Sequence, residues 1–92
     1  PGVEFVDFEH VYGVNEVFRF GAKKYEPGNW KKGMNWDLCY NAAIRHMEKW
    51  RNGETTDSES GLHHLYHAVW NLFALVWYQK HNKGVDNIRI KE

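Results

Sequence analysis

One cysteine, two prolines and no excess charge of either sign set the first bounds on this 92-residue chain. A single thiol, Cys39, can close no internal disulfide and build no thiolate zinc cluster, which argues for a reducing compartment and makes cytoplasm the expected location. Twelve Lys and Arg balance twelve Asp and Glu. No global basic field exists to hold duplex nucleic acid, so no sequence-specific nucleic-acid partner is expected and any phosphate contact must be local. Long apolar runs are also missing. The greasiest stretch, Ala68 to Tyr78, is broken by Asn71 and too short to cross a bilayer, so it reads as buried helix and no membrane partner is expected. Pro1 to Asp7 carries no basic stretch ahead of an apolar one, and no secretory leader is expected from it. A glycine-rich Walker loop and a serine or cysteine triad are both absent, which removes P-loop chemistry and acyl-enzyme chemistry from consideration.

What the chain does have is aromatic and imidazole groups: five Trp, five Tyr, five Phe and six His. Such rings can fill a core or stack on bases, and position along the chain has to separate the two uses. At this length one core gives marginal stability, so residues 1–92 are expected to form one domain helped by oligomerisation or a metal.

The patterning is helical throughout. Val11, Val14, Val17, Phe18 and Phe20 recur at helical spacing, which predicts a first helix over Phe8 to Lys24, weakened by Gly13 and Gly21 and stopped by Glu26-Pro27-Gly28-Asn29. Trp30 to Trp36 is expected to be loop. Asn35 is placed to cap a second helix that runs through Ala42 to Trp50 and ends at Asn52-Gly53. Glu54 to Ser60 is short, polar and acidic, and Asp57 or Ser58 is expected to cap a third helix over Glu59 to His81, closed by Asn82-Lys83-Gly84. Val85 to Glu92 reads as a short strand or an arm. The fold class expected is all-α, a small bundle of about three main helices completed by oligomerisation, with no repeat, linker or low-complexity run. Two apolar stripes on the third helix support that expectation: Leu62, Leu65, Val69, Leu72 and Val76 form one, Trp70, Phe73, Ala74 and Trp77 the other. Two stripes need two partners, either other helices of the chain or a second subunit.

The chemistry gathers at one end of the second and third helices. His64, His67 and Asn71 fall at i, i+3 and i+7 on one face of the third helix, and His46 joins them if the two helices form an antiparallel hairpin. That spacing suits metal ligation, anion contact or general-base work, or else a set of satisfied core histidines. Glu54, Asp57 and Glu59 suit a hard cation such as Mg2+, or the positive end of the third helix. Lys23, Lys24, Lys31 and Lys32, interleaved with Tyr25 and Trp30, are either phosphate and base contacts or a solvated loop. Histidine beside carboxylate also admits Mn2+, Zn2+ or Fe2+.

Read in order, Gly21-Ala22-Lys23-Lys24-Tyr25, Asn29-Trp30, Gly33, Arg45-His46, Trp50, Gly53-Glu54, Asp57, Glu59-Ser60-Gly61, His64, His67 and Asn71 resemble the phage-type dATP/dGTP diphosphohydrolase domain. The resemblance spans Gly21 to Val76. It implies a helical relative of the MazG-like pyrophosphohydrolases, which cleave a nucleoside triphosphate between the α and β phosphates, use Mg2+ and assemble from several subunits. For a phage-encoded chain it also implies the host cytoplasm. MazG-like enzymes hold metal with E-x-x-E on one helix and E-x-x-D on the next, whereas here Glu54-Thr55-Thr56-Asp57 falls in the predicted loop. Two readings stay open: the loop carboxylates with His64 and His67 replace that quartet, or the domain binds a nucleotide or nucleotide signal without hydrolysing it. Under the enzyme reading Glu54, Asp57, Glu59, His64 and His67 hold the metal, and His64, His67 and Glu54 carry the proton chemistry. Lys24, Tyr25, Asn29, Trp30, Lys32, Arg45, His46 and Asn71 then bind substrate.

Overall fold

In the computed structural model, which describes residues 5–91, the chain folds as three α-helices joined by the segments 25–35 and 52–63. Pro1 to Glu4 and Glu92 lie outside the described residues, and with them most of the stretch read above for a leader. Helix α1 spans Phe8–Lys24, α2 Trp36–Arg51 and α3 His64–His81, with one turn of 3-10 helix at Asn29–Lys32 inside the segment expected to be plain loop. Among the described residues no helix is long and apolar enough to cross a membrane.

Helices α2 and α3 run antiparallel, and the small Cys39 and Ala43 that α2 buries beside Trp36 let the neighbour approach closely. Trp36 and Cys39, near the start of α2, pack with Ala74 and Tyr78, near the end of α3. At the other end of the same seam, His46 meets His64 and His67. The hairpin therefore has an apolar end and an imidazole end. Helix α1 lies across α3, where Gly13 admits the ring of Tyr66: a Cβ at position 13 would overlap that ring. Phe18 sits edge-on to Trp30 and against Trp70, and the Tyr78 hydroxyl donates to the Trp30 carbonyl at 2.6 Å.

Four expectations need correction. Helix α3 begins at His64, five residues later than Glu59, because the Asp57 carboxylate folds 57–60 into a turn by accepting the Glu59 and Ser60 amides at 3.1 and 2.9 Å. Its cap is neither Asp57 nor Ser58 but His63, whose ring nitrogen accepts the Leu65 amide at 3.0 Å. Asn35 makes no side-chain cap; Asn87, from the far end of the chain, accepts the Asp37 amide at 3.0 Å in its place. The terminal segment, read as a short strand or an arm, forms no strand over its described residues. It docks on the start of α2, where Trp36 donates its amide to the Val85 carbonyl at 2.9 Å and its indole N–H to the Lys83 carbonyl at 2.9 Å. That docking requires Gly33 and Gly84, both at positive φ, because the Gly84 backbone lies where a Cβ on Gly33 would be and the Met34 backbone lies where a Cβ on Gly84 would be.

Burial on α3 also departs from the apolar pattern. The buried face is His64, His67, Ala68, Asn71, Ala74 and Tyr78, whereas Leu72, Phe73 and Val76 are each about half exposed.

Candidate functional site

The imidazole end of the α2–α3 seam forms one wall of an open cleft of about 310 Å³. Its opposite wall is the last part of α1. His46, His67 and Asn71 line it from the hairpin, Asp57 and Glu59 from the 54–63 turn, and Lys24, Arg45 and Lys49 from its rim. Val17, Phe20 and Trp70 give it an apolar floor.

Behind the cleft wall runs a chain of hydrogen bonds. Glu54 Oε2 lies 2.6 Å from His64 Nε2, and His64 Nδ1 lies 2.8 Å from His46 Nδ1. His64 is wholly buried, so both its nitrogens must be satisfied inside the protein, and these two contacts satisfy them. The carboxylate of Glu54 accepts only, which places a proton on His64 Nε2; His64 Nδ1 then accepts from His46 Nδ1–H. The consequence is a defined tautomer at the cleft: Nε2 of His46 keeps its lone pair. His67 is fixed separately, by Ser60 Oγ at 2.7 Å, while that same oxygen accepts the Leu62 amide at 3.1 Å. The rings of His46 and His67 stack at 4.6 Å, 9° from parallel.

Stacked, half-buried imidazoles disfavour charge on one another. Burial, with repulsion from His67 and His64, pushes His46 down to about 4 from an ordinary 6.5. Burial also lowers His67, against the opposing pull of Asp57. Burial pushes the Asp57 carboxyl upward, but the Ser60 hydrogen bonds and the adjacent imidazoles outweigh it and hold the carboxyl below its usual range. At neutral pH the cleft thus offers two uncharged imidazoles beside a carboxylate.

The residues singled out above divide by position. Lys24, Tyr25, Arg45, His46 and Asn71 line the cleft together with Asp57, Glu59 and His67. Glu54 and His64 stand behind His46, outside the cleft lining. Lys24 and Glu59 pair at 2.9 Å, linking the end of α1 to the turn. Trp30 is half-buried, 5.2 Å from Trp77 and 6.1 Å from Trp70, and Lys31 rather than Lys32 lies over its ring. Lys32 is exposed and apart from the cleft. Lys49 was not singled out from sequence, and Phe20, Trp70 and Ser60 were named there without a role at the site. Lys49 falls one turn after Arg45 on α2, a spacing that could have placed it there.

His46, Asp57 and His64 each place a ligand-type atom within 4.8 Å of the other two. Two imidazole nitrogens and one carboxylate oxygen form a donor set suited to Mn2+, Fe2+ or Zn2+ more than to Mg2+, which prefers oxygen. Both nitrogens of His64 are already hydrogen-bonded, so metal on that residue would break one of those bonds.

The family described as dATP/dGTP diphosphohydrolase, N-terminal, matches residues 1–88. A dATP/dGTP diphosphohydrolase of Salmonella phage PMBT28 is 29% identical over 84 residues, covering 91% of this chain. The chain spans only 29% of that relative's length. No solved structure matches.

Proposed function

Because this chain belongs to the dATP/dGTP diphosphohydrolase, N-terminal family, we propose that its imidazole cleft takes the phosphates of a purine deoxynucleoside triphosphate and supports their cleavage to a monophosphate and pyrophosphate. The observation that carries this reading is the Glu54–His64–His46 chain of hydrogen bonds ending at a cleft with a cationic rim.

An imidazole pushed to about 4 is a weak base alone, but His46 is not alone. As its Nε2 takes a proton from a water attacking phosphorus, its Nδ1 proton can pass to His64 Nδ1 while the His64 Nε2 proton passes to Glu54. His64 and Glu54 are positioning and relay groups in this reading, and His46 meets the water. Arg45, Lys49 and Lys24 hold phosphate oxygens from the rim. Asp57 and Glu59, both lining the cleft, would hold Mg2+ jointly with the phosphates, with Mn2+ the substitute that the nearby imidazoles favour. A divalent ion there would neutralise phosphate charge and acidify a bound water.

One feature supports capture without cleavage: α3 carries no acidic residue, so the helix-borne carboxylate quartet of MazG-like enzymes is absent from it. The deciding experiment incubates the protein with each deoxy- and ribonucleoside triphosphate under Mg2+, Mn2+ or EDTA and separates the products. Metal-dependent monophosphate and pyrophosphate are expected. Nucleotide recovered intact from every condition would overturn the hydrolase and leave the binding module. The half-exposed Leu72, Phe73 and Val76 support a further part of the proposal, that a second copy covers α3, which sedimentation would test.

A further inference from the structure

Helix α1 holds two glycines, and only one has a packing reason. Gly13 lies against Tyr66, where no Cβ fits. Gly21 has ordinary helical backbone and nothing within 4 Å of where its Cβ would stand. A glycine there weakens the helix relative to alanine and gains no contact in exchange. Gly21 lines the imidazole cleft and also a second cavity of about 500 Å³. Tyr25 and Trp70 are shared by both as well.

The second cavity differs in chemistry from the first. Phe18, Tyr25, Trp30 and Trp70 give it aromatic walls, and the Pro27–Asn29 turn forms its lip. Three of its rings are held in place, Trp30 and Trp70 edge-to-face at 6.1 Å and 68°, and Phe18 against both. Rigid aromatic walls suit a flat ring system, and Asn29 adds an amide that both donates and accepts at a base edge.

We propose that the two cavities are the two halves of one nucleotide site, with the base in the aromatic cavity, the phosphates in the imidazole cleft, and the sugar crossing the neck that Gly21 keeps open. This rests on the reading that the cleft takes phosphate. Gly21 is thus a specificity-determining position: its missing side chain admits a nucleoside, where a larger residue would leave a site for polyphosphate alone.

The test uses Gly21→Ala, Gly21→Val and Gly21→Phe, with melting temperature and calorimetric binding of dATP, dGTP and inorganic tripolyphosphate. Wild type is expected to bind the nucleotides about tenfold or more tighter than tripolyphosphate, the size of one base-stacking contact. Gly21→Ala should melt higher than wild type. Gly21→Phe should bind tripolyphosphate unchanged and lose the nucleotide advantage, with Gly21→Val intermediate and able to carry the test if the bulkier variant does not fold. Nucleotide binding unchanged in the folded large variants would overturn the inference, as would a wild type that prefers nothing over tripolyphosphate. Loss of that advantage in a protein that cleaves no nucleotide would sink the hydrolase reading and leave the two-part site standing.

Discussion

His46 and His64 meet nitrogen to nitrogen, Nδ1 to Nδ1 at 2.8 Å, one from the middle of α2 and the other from the first residue of α3. Only one proton can occupy that contact, so the state of each ring sets the state of the other. Glu54, on the far nitrogen of His64, decides which arrangement holds.

Glu54→Ala leaves the buried Nε2–H of His64 without an acceptor, and a loss of about 1–3 kcal/mol of stability is expected in denaturant titration. Glu54→Gln keeps an acceptor but removes the charge. It should fold close to wild type and bind nucleotide, yet slow any turnover, since the relay then ends on a neutral amide. Equal turnover in Glu54→Gln and wild type would remove Glu54 from the chemistry.

Stability should fall on acidification. His46 is depressed to about 4 in the fold, so between 6.5 and that value the unfolded chain binds the extra proton and the native state does not. The contribution is complete above 6.5 and lost as pH drops toward 4, on the order of 1–2 kcal/mol after discounting for the ring's partial exposure. His67, also depressed, acts in the same direction. His46→Phe should flatten the dependence of melting temperature on pH across this window; an unchanged slope would show that His46 does not carry it.

Glu59 holds Lys24 at the mouth of the cleft through an exposed ion pair. Glu59→Gln frees the ammonium for a phosphate, so tripolyphosphate measured without metal is expected to bind several-fold tighter, with the gain fading as salt rises. With Mg2+ present the sign should reverse if Glu59 helps to hold the ion, and the two titrations together separate its roles.

Cys39 is 1% exposed and burial pushes its thiol to about 11. A disulfide reagent at neutral pH should leave it untouched in the native protein and modify it in denaturant. Rapid native-state reaction would mean that the α2–α3 seam opens far more readily than its packing implies.

Much of this architecture was legible from local signals. Helix α1 spans Phe8–Lys24, as its apolar spacing and the Pro27-Gly28 stop predict, and α2 ends where Asn52-Gly53 says it must. His64, His67 and Asn71 share a face because 3.6 residues make a turn, and that face is buried as a unit. Antiparallel pairing of α2 with α3 was the condition for bringing His46 to that face, and the two helices meet it. These features depend on neighbours along the chain, which a sequence displays directly.

Tertiary structure alone decided the rest. Apolar periodicity favours Leu72, Phe73 and Val76 for burial, yet histidines and alanines occupy the seam, because Cys39 and Ala43 on α2 leave room for close approach and the imidazoles find hydrogen-bond partners there in each other, in Glu54 and in Ser60. No count of hydrophobic residues contains that reciprocity. Asn87 caps α2 from 50 residues away, and Gly33 lies against Gly84 across a similar gap, so neither relation leaves a local mark. The different roles of Gly13 and Gly21 are of the same kind: in sequence both merely weaken a helix, and only the packing shows one filled by Tyr66 and the other open between two cavities.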